Sequence, residues 1–140
     1  MDNQRKKTIF SEFGIILKRN KYNGRISRRT KVGKKKIFTL VDMVGHSYFF
    51  PKQAVLPMFS MRPPSWHNNV DLHFSFLARK KGWNLFVPTV TNKDQLPVSK
   101  EIQLPISNNE RAMFRRPNHK LNRNEYVKWA IKNKIIKRVI

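Results

Sequence analysis

The residues of this chain that could do chemistry are its cations. Between Lys18 and Lys36 ten of nineteen residues are Lys or Arg, and no acid occurs from Phe13 through Val41. The run comprises Lys18, Arg19, Lys21, Arg25, Arg28, Arg29, Lys31, Lys34, Lys35 and Lys36. Such side chains neutralise phosphate. The planar fork of arginine pairs with two phosphate oxygens or stacks on a base, and lysine supplies a compact charge. Arg62, the group Arg79, Lys80 and Lys81, and then Arg115, Arg116 and Lys120 extend the same chemistry along the chain. The last three open a second basic stretch, Arg111 to Arg138, relieved only by Glu125. Gly24, Gly33 and Gly82 lie within or beside these groups, and glycine admits a close backbone approach that a side chain would block.

Other chemistries find little support. The eight acids are scattered, with no pair spaced for acid–base work or for Mg²⁺. His46, His67, His73 and His119 stand far apart, and the adjacency of His46 and Ser47 in sequence says nothing of nucleophile–base geometry. The absence of cysteine excludes a disulfide framework, a thiolate metal site and a cysteine nucleophile. The expectation is therefore no catalytic residue, no metal and no cofactor.

A length of 140 residues allows one domain with one modest core and tails that pack on something else. With 39% apolar and 11% aromatic residues the chain is too hydrophobic for a disordered basic tail. No apolar run reaches the roughly 20 residues of a membrane helix. Thirty Lys and Arg against eight Asp and Glu leave a formal charge of +22, whose self-repulsion opposes a compact state unless a polyanion neutralises it. Nucleic acid is the usual partner for such a charge, and anionic lipid the main rival.

The elements that must position these cations are short. Ile9 to Ile16 reads as a strand or a turn of helix against the core. Lys36 to Met43 is rich in β-formers and reads as a strand. Val70 to Phe76 alternates, with Val70, Leu72, Phe74 and Phe76 on one face, which predicts a half-buried strand. Arg79 to Gly82 then reads as a tight turn, and Trp83 to Val87 as the return strand of a hairpin stopped by Pro88, with Trp83 in the core. Asn92 to Pro105 reads as loop or edge strand. Asn122 with Glu125 resembles a capping box, and Val127, Ala130, Ile131 and Ile135 recur at helical spacing, so Arg123 to Lys137 is predicted to be a helix. The expected architecture is mainly β: a small antiparallel barrel over residues 18–105, an N-terminal extension over 1–17, and a basic C-terminal extension with a helix over 106–140.

Two stretches carry a resemblance. Gly24-Arg25-Ile26-Ser27, Arg29, Lys31, Gly33, Lys36, Phe38 and Val41-Asp42 follow one another in the order of a known signature. Pro63-Pro64, Asn69-Val70-Asp71-Leu72, Lys81-Gly82 and Trp83-Asn84-Leu85-Phe86-Val87-Pro88 follow a second. Both are similar to the N-terminal half of the universal large-subunit ribosomal protein two family, in its bacterial and mitochondrial form. The similarity covers about Arg19 to Pro88. The glycine cluster of the family is reduced here to Gly33, and nothing after Pro105 resembles its second domain.

The resemblance implies an OB-type barrel and a structural role in the large ribosomal subunit. The implied partners are large-subunit rRNA, neighbouring ribosomal proteins and a separate chain carrying the missing half. Asp2 and Glu12 make the first residues unlike an import leader, and the bias toward Lys, Asn and Ile fits AT-rich coding. Synthesis inside a mitochondrion is therefore expected, with a plastid or a bacterial cytoplasm as alternatives. The competing function is a peripheral membrane-surface or nucleic-acid protein, because the terminal helix is basic and partly amphipathic.

Overall fold

A computed structural model describes residues 7–19, 21–22, 25–27, 38–67, 69–88 and 116–137. Five strands form one sheet: β1 (Thr8–Ile15), β2 (Arg25–Ser27), β3 (Phe38–Leu40), β4 (Met43–Phe49) and β5 (Asn84–Pro88). Two 3-10 turns (Lys52–Ala54 and Leu56–Ser60) lead from β4 to helix α1 (Val70–Lys80), and helix α2 (His119–Lys132) follows β5. The β1 strand is central. It pairs antiparallel with β2 and with β4, and parallel with β5, which in turn pairs antiparallel with β3. The sheet is mixed, the architecture is α/β, and the described strands do not close into a barrel.

Four sequence expectations change as a result. First, Val70 to Phe76 is helix, not strand. A helix and a strand can both hide Leu72, Phe74 and Phe76. The helix also buries His73, Ser75, Leu77 and Ala78, because α1 is covered on two sides. Leu72, Phe76 and Leu77 join Ile15, Met43, Tyr126, Val127 and Ala130 in one core cluster. Phe74 and Ala78 join Ile9, Val44, Leu85 and Val87 in the other. Each fully buried large apolar side chain contributes about 1.5–3 kcal/mol, far more than the strand preference of any one residue.

Second, Arg79 to Gly82 is the end of a helix and not a hairpin turn. Gly82, at φ 84°, sends its N–H to the Arg79 carbonyl at 2.9 Å, and Trp83 sends its N–H to the Ala78 carbonyl at 3.1 Å. This is a Schellman ending with a glycine in the left-handed region and a buried hydrophobic residue after it. Gly82 thus makes the chain reversal in a backbone conformation that favours glycine. Third, β5 is the parallel neighbour of β1, with Thr8 opposite Asn84 and Phe10 opposite Phe86, so it has no hairpin partner at Val70–Phe76. Fourth, residues 8–15, expected within an extension, supply the central strand. The C-terminal helix packs into the same core as α1, and it begins four residues earlier than the capping pattern indicated.

The chain crosses from β3 to β4 through Val41 and Asp42, over β1. Val41 accepts this position because residue 14 is glycine: a Cβ there would sit 2.8 Å from both Val41 methyl carbons. The backbone N–H of Asp42 donates to the Ile15 carbonyl at 2.8 Å. On the sheet face away from α1, Phe10, Phe38 and Phe86 gather with ring centroids 5.4–6.2 Å apart.

Candidate nucleic-acid interface

The end of β1 and the two helix C-termini form one basic cleft. Asp42 anchors it. One carboxylate oxygen accepts the Leu17 N–H at 2.7 Å, and the other takes the Arg79 guanidinium in an ion pair. The ion pair fixes the C-terminal turn of α1, whose dipole favours cations such as Arg79 and Lys80.

The last turn of α2 delivers the opposite wall. Lys134 adopts φ 54° and sends its N–H to the Ile131 carbonyl at 3.0 Å, while Ile135 sends its N–H to the Ala130 carbonyl at 2.9 Å. This is a second Schellman ending, with lysine where α1 uses glycine. It folds Ile135 back into the core and leaves Lys134 and Lys137 exposed.

The resulting cleft has a volume of about 480 Å³ and is lined by Leu17, Asp42, Arg79, Lys80, Lys134, Ile135, Ile136 and Lys137. Four cations therefore border one carboxylate, and Asp42 is already committed to Arg79. Such a half-open, cationic groove with an apolar floor can accept phosphate oxygens at its rim while a sugar or base lies against Leu17 and Ile136.

The expected contact residues distribute unevenly around it. Arg79 and Lys80 line the cleft. Lys18, Arg19 and Lys21 are exposed on the tight turn directly after Leu17, where Lys21 donates its N–H to the Lys18 carbonyl at 3.0 Å. Arg25 lies in β2, opposite Ile15. Lys81 is exposed just beyond α1. Arg62, Arg116 and Lys120 are exposed but do not line this cleft. Arg28, Arg29, Lys31, Lys34, Lys35, Lys36 and Arg115, with Gly24 and Gly33, lie outside the described residues. Lys134 and Lys137 were not among the expected contacts. Their signal was the run of basic residues at the end of a predicted helix, which a sequence cannot bring beside Arg79.

A buried arginine ties the start of the basic run to α2. Arg123 is 7% exposed and donates from Nη2 to Asp71 at 2.9 Å, and its guanidinium lies 4.7 Å from the Tyr22 ring centroid. Beside it, the Tyr22 N–H donates to the Asn124 carboxamide oxygen at 2.7 Å. The turn carrying Lys18, Arg19 and Lys21 is thus held on α2 by the residue that follows it.

Among the described residues, no group of three or more His, Asp or Glu side chains converges as a metal would need. No described helix is long and apolar enough to cross a membrane. No protein-family model, curated protein or solved structure matches the chain.

Proposed function

We propose that this chain is an RNA-binding structural protein that grips phosphate backbone through the cleft between α1 and α2, with no reaction of its own. The observation that carries the reading is the meeting of Arg79 and Lys80 with Lys134 and Lys137, from segments more than fifty residues apart, around the Asp42 carboxylate. A net charge of +22 supplies the long-range attraction.

The more specific form of the proposal is a constituent of the large ribosomal subunit, with rRNA and a companion chain as partners and a mitochondrion as its setting. That form leans on the similarity of Gly24 to Asp42 to the ribosomal family. The second similar stretch lends it less, because Val70–Lys80 is helical and Asn84–Pro88 pairs with β1 instead of with its own sequence neighbour.

The test is binding of a fluorescently labelled RNA hairpin by the full chain across a salt series. Binding is expected to weaken linearly on a log–log plot, by ~0.7–0.9 per neutralised phosphate. The triple variant Lys80→Glu, Lys134→Glu, Lys137→Glu should lower that slope by about 2. An unchanged slope removes the cleft from the interface. Preferential capture by vesicles of anionic lipid, with RNA unable to compete, replaces RNA by a membrane surface. For the ribosomal form, the tagged chain should co-sediment stoichiometrically with large-subunit rRNA, and recovery free of rRNA overturns it.

A further inference from the structure

A second cleft, of about 350 Å³, lies between the segment preceding α1 and the flank of α2, and its chemistry is unlike the first. Although the chain has 30 Lys and Arg, no Lys or Arg among the described residues lines it. Its polar lining includes Ser65, His67, Asn69, Asn122 and Glu125, and its aromatic wall is Tyr126 and Trp129.

That wall is rigid. His73, fully buried, bonds through Nδ1 to the Tyr126 hydroxyl, and its Nε2 faces the carbonyls of Met58 and Met61 at 3.0 and 2.7 Å. Trp129 packs at 5.3 Å from the Tyr126 ring, and Trp66 stands edge-on to His73 at 5.2 Å while remaining 41% exposed. Ring positions are therefore set by four side chains that brace one another.

Asn69 carries the unexplained polar group. It is 3% exposed, its carboxamide oxygen has no hydrogen-bond partner, and its Nδ2 reaches the Ser65 carbonyl only at a long 3.5 Å. It occupies the N-cap of α1, where asparagine ordinarily accepts a helix N–H, yet its side chain makes no capping bond. An unsatisfied buried carbonyl is costly, and a capping asparagine that declines to cap forgoes a stabilising bond as well. The unsatisfied oxygen is relieved if the carboxamide turns toward a donor brought into the cleft.

We propose that this cleft binds one uncharged ring with an apolar face and N–H or O–H donors on its rim, either a nucleobase or a sugar ring. The apolar face lies on Trp129, and the rim donors go to the Asn69 carboxamide oxygen and the Glu125 carboxylate. Glu125 Oε1 already takes the exposed Lys128 ammonium at 2.7 Å, which leaves Oε2 for a rim donor. No Lys or Arg among the described lining residues favours a phosphorylated ring, so the site differs in chemistry from the basic cleft. A volume near 350 Å³ is at the lower end of small-ligand sites, enough for one or two rings.

The test is tryptophan fluorescence and chemical-shift titration of the full chain with adenosine, cytidine and uridine in one arm and methyl glycosides of common hexoses in the other. One arm is expected to give saturable binding that weakens at least tenfold in Trp129→Ala and in Asn69→Leu. The variants Lys134→Glu and Lys137→Glu should leave it unchanged. Because Trp129→Ala could disturb α2, Glu125→Gln serves as a surface variant expected to weaken the same ligand without altering the far-ultraviolet spectrum. Saturation by nucleosides alone assigns a nucleobase and saturation by glycosides alone a sugar. Failure of both arms to saturate overturns the proposal, as does binding indifferent to Asn69 and Trp129.

Discussion

The Nδ1 of His73 and the hydroxyl of Tyr126 meet at 2.5 Å across the contact between α1 and α2. Two carbonyl oxygens face Nε2, so the ring proton resides there, and Nδ1 accepts from a tyrosine whose own ionisation is pushed up by burial. Burial also holds His73 below the usual imidazole value of 6.5, although the Met61 and Met58 carbonyls pull the other way.

Stability should therefore depend on pH through His73. The unfolded chain takes up a proton as pH falls below about 6.5, and the folded chain resists it. The contribution is complete above pH 6.5 and is lost progressively below it, by up to about 1.4 kcal/mol per pH unit. Urea denaturation from pH 7.5 to 5 reads this. The variant His73→Phe should be less stable by ~1–3 kcal/mol at pH 7.5, because the Tyr126 hydroxyl loses its acceptor, and it should show a flatter profile. Parallel profiles for the two proteins refute the assignment.

Lys134 holds a left-handed conformation at the end of α2 that glycine adopts freely. Lys134→Gly should raise stability by about 1 kcal/mol while lowering the RNA salt slope by ~0.7–0.9, one phosphate contact. Opposite signs in the two measurements would separate the helix ending from the cleft. A loss of stability contradicts the Schellman reading.

Gly14→Ala places a methyl group against both Val41 methyls, and a destabilisation of about 1–3 kcal/mol is expected by chemical denaturation. Adding Val41→Ala should cost less in the Gly14→Ala background than in the parent. Simple additivity of the two changes would mean that the crossing strand segments do not touch.

Arg123→Leu strands the Asp71 carboxylate and removes the cation beneath Tyr22. Breaking a largely buried pair from one side costs about 3 kcal/mol or more. Limited proteolysis near Lys18–Lys21 should accelerate in the variant, since Tyr22 loses one of its contacts with α2, keeping those to Asn124 and His119. Unaltered cleavage there would show that Arg123 does not hold the turn.

Some of this molecule is legible in its residues. The alternation of Trp83, Leu85 and Val87 identifies a strand with a buried face, and all three are buried, with the strand ending at Pro88. Val127 and Ala130 likewise mark the buried side of α2. The segment from Val70 fails for a physical reason. Its seven residues alternate as a half-buried strand would, but a helix covered on two sides buries the positions between them as well, His73 and Ser75, so a short alternation fits either element. The capping pattern at Asn122 and Glu125 fails because α2 begins earlier, at a left-handed Asn118. Of the candidate interface, the identity of Arg79 and Lys80 as cations was readable. Their convergence with Lys134 and Lys137 was not, because two chain reversals create it.

The pairing of Thr8 with Asn84 and of Phe10 with Phe86 has a consequence for biosynthesis. The strand made first acquires its parallel neighbour only after some seventy-five further residues have been translated. Until then a nascent chain bearing most of its cations emerges with that edge unsatisfied, and closing so long a loop is slow compared with forming either helix.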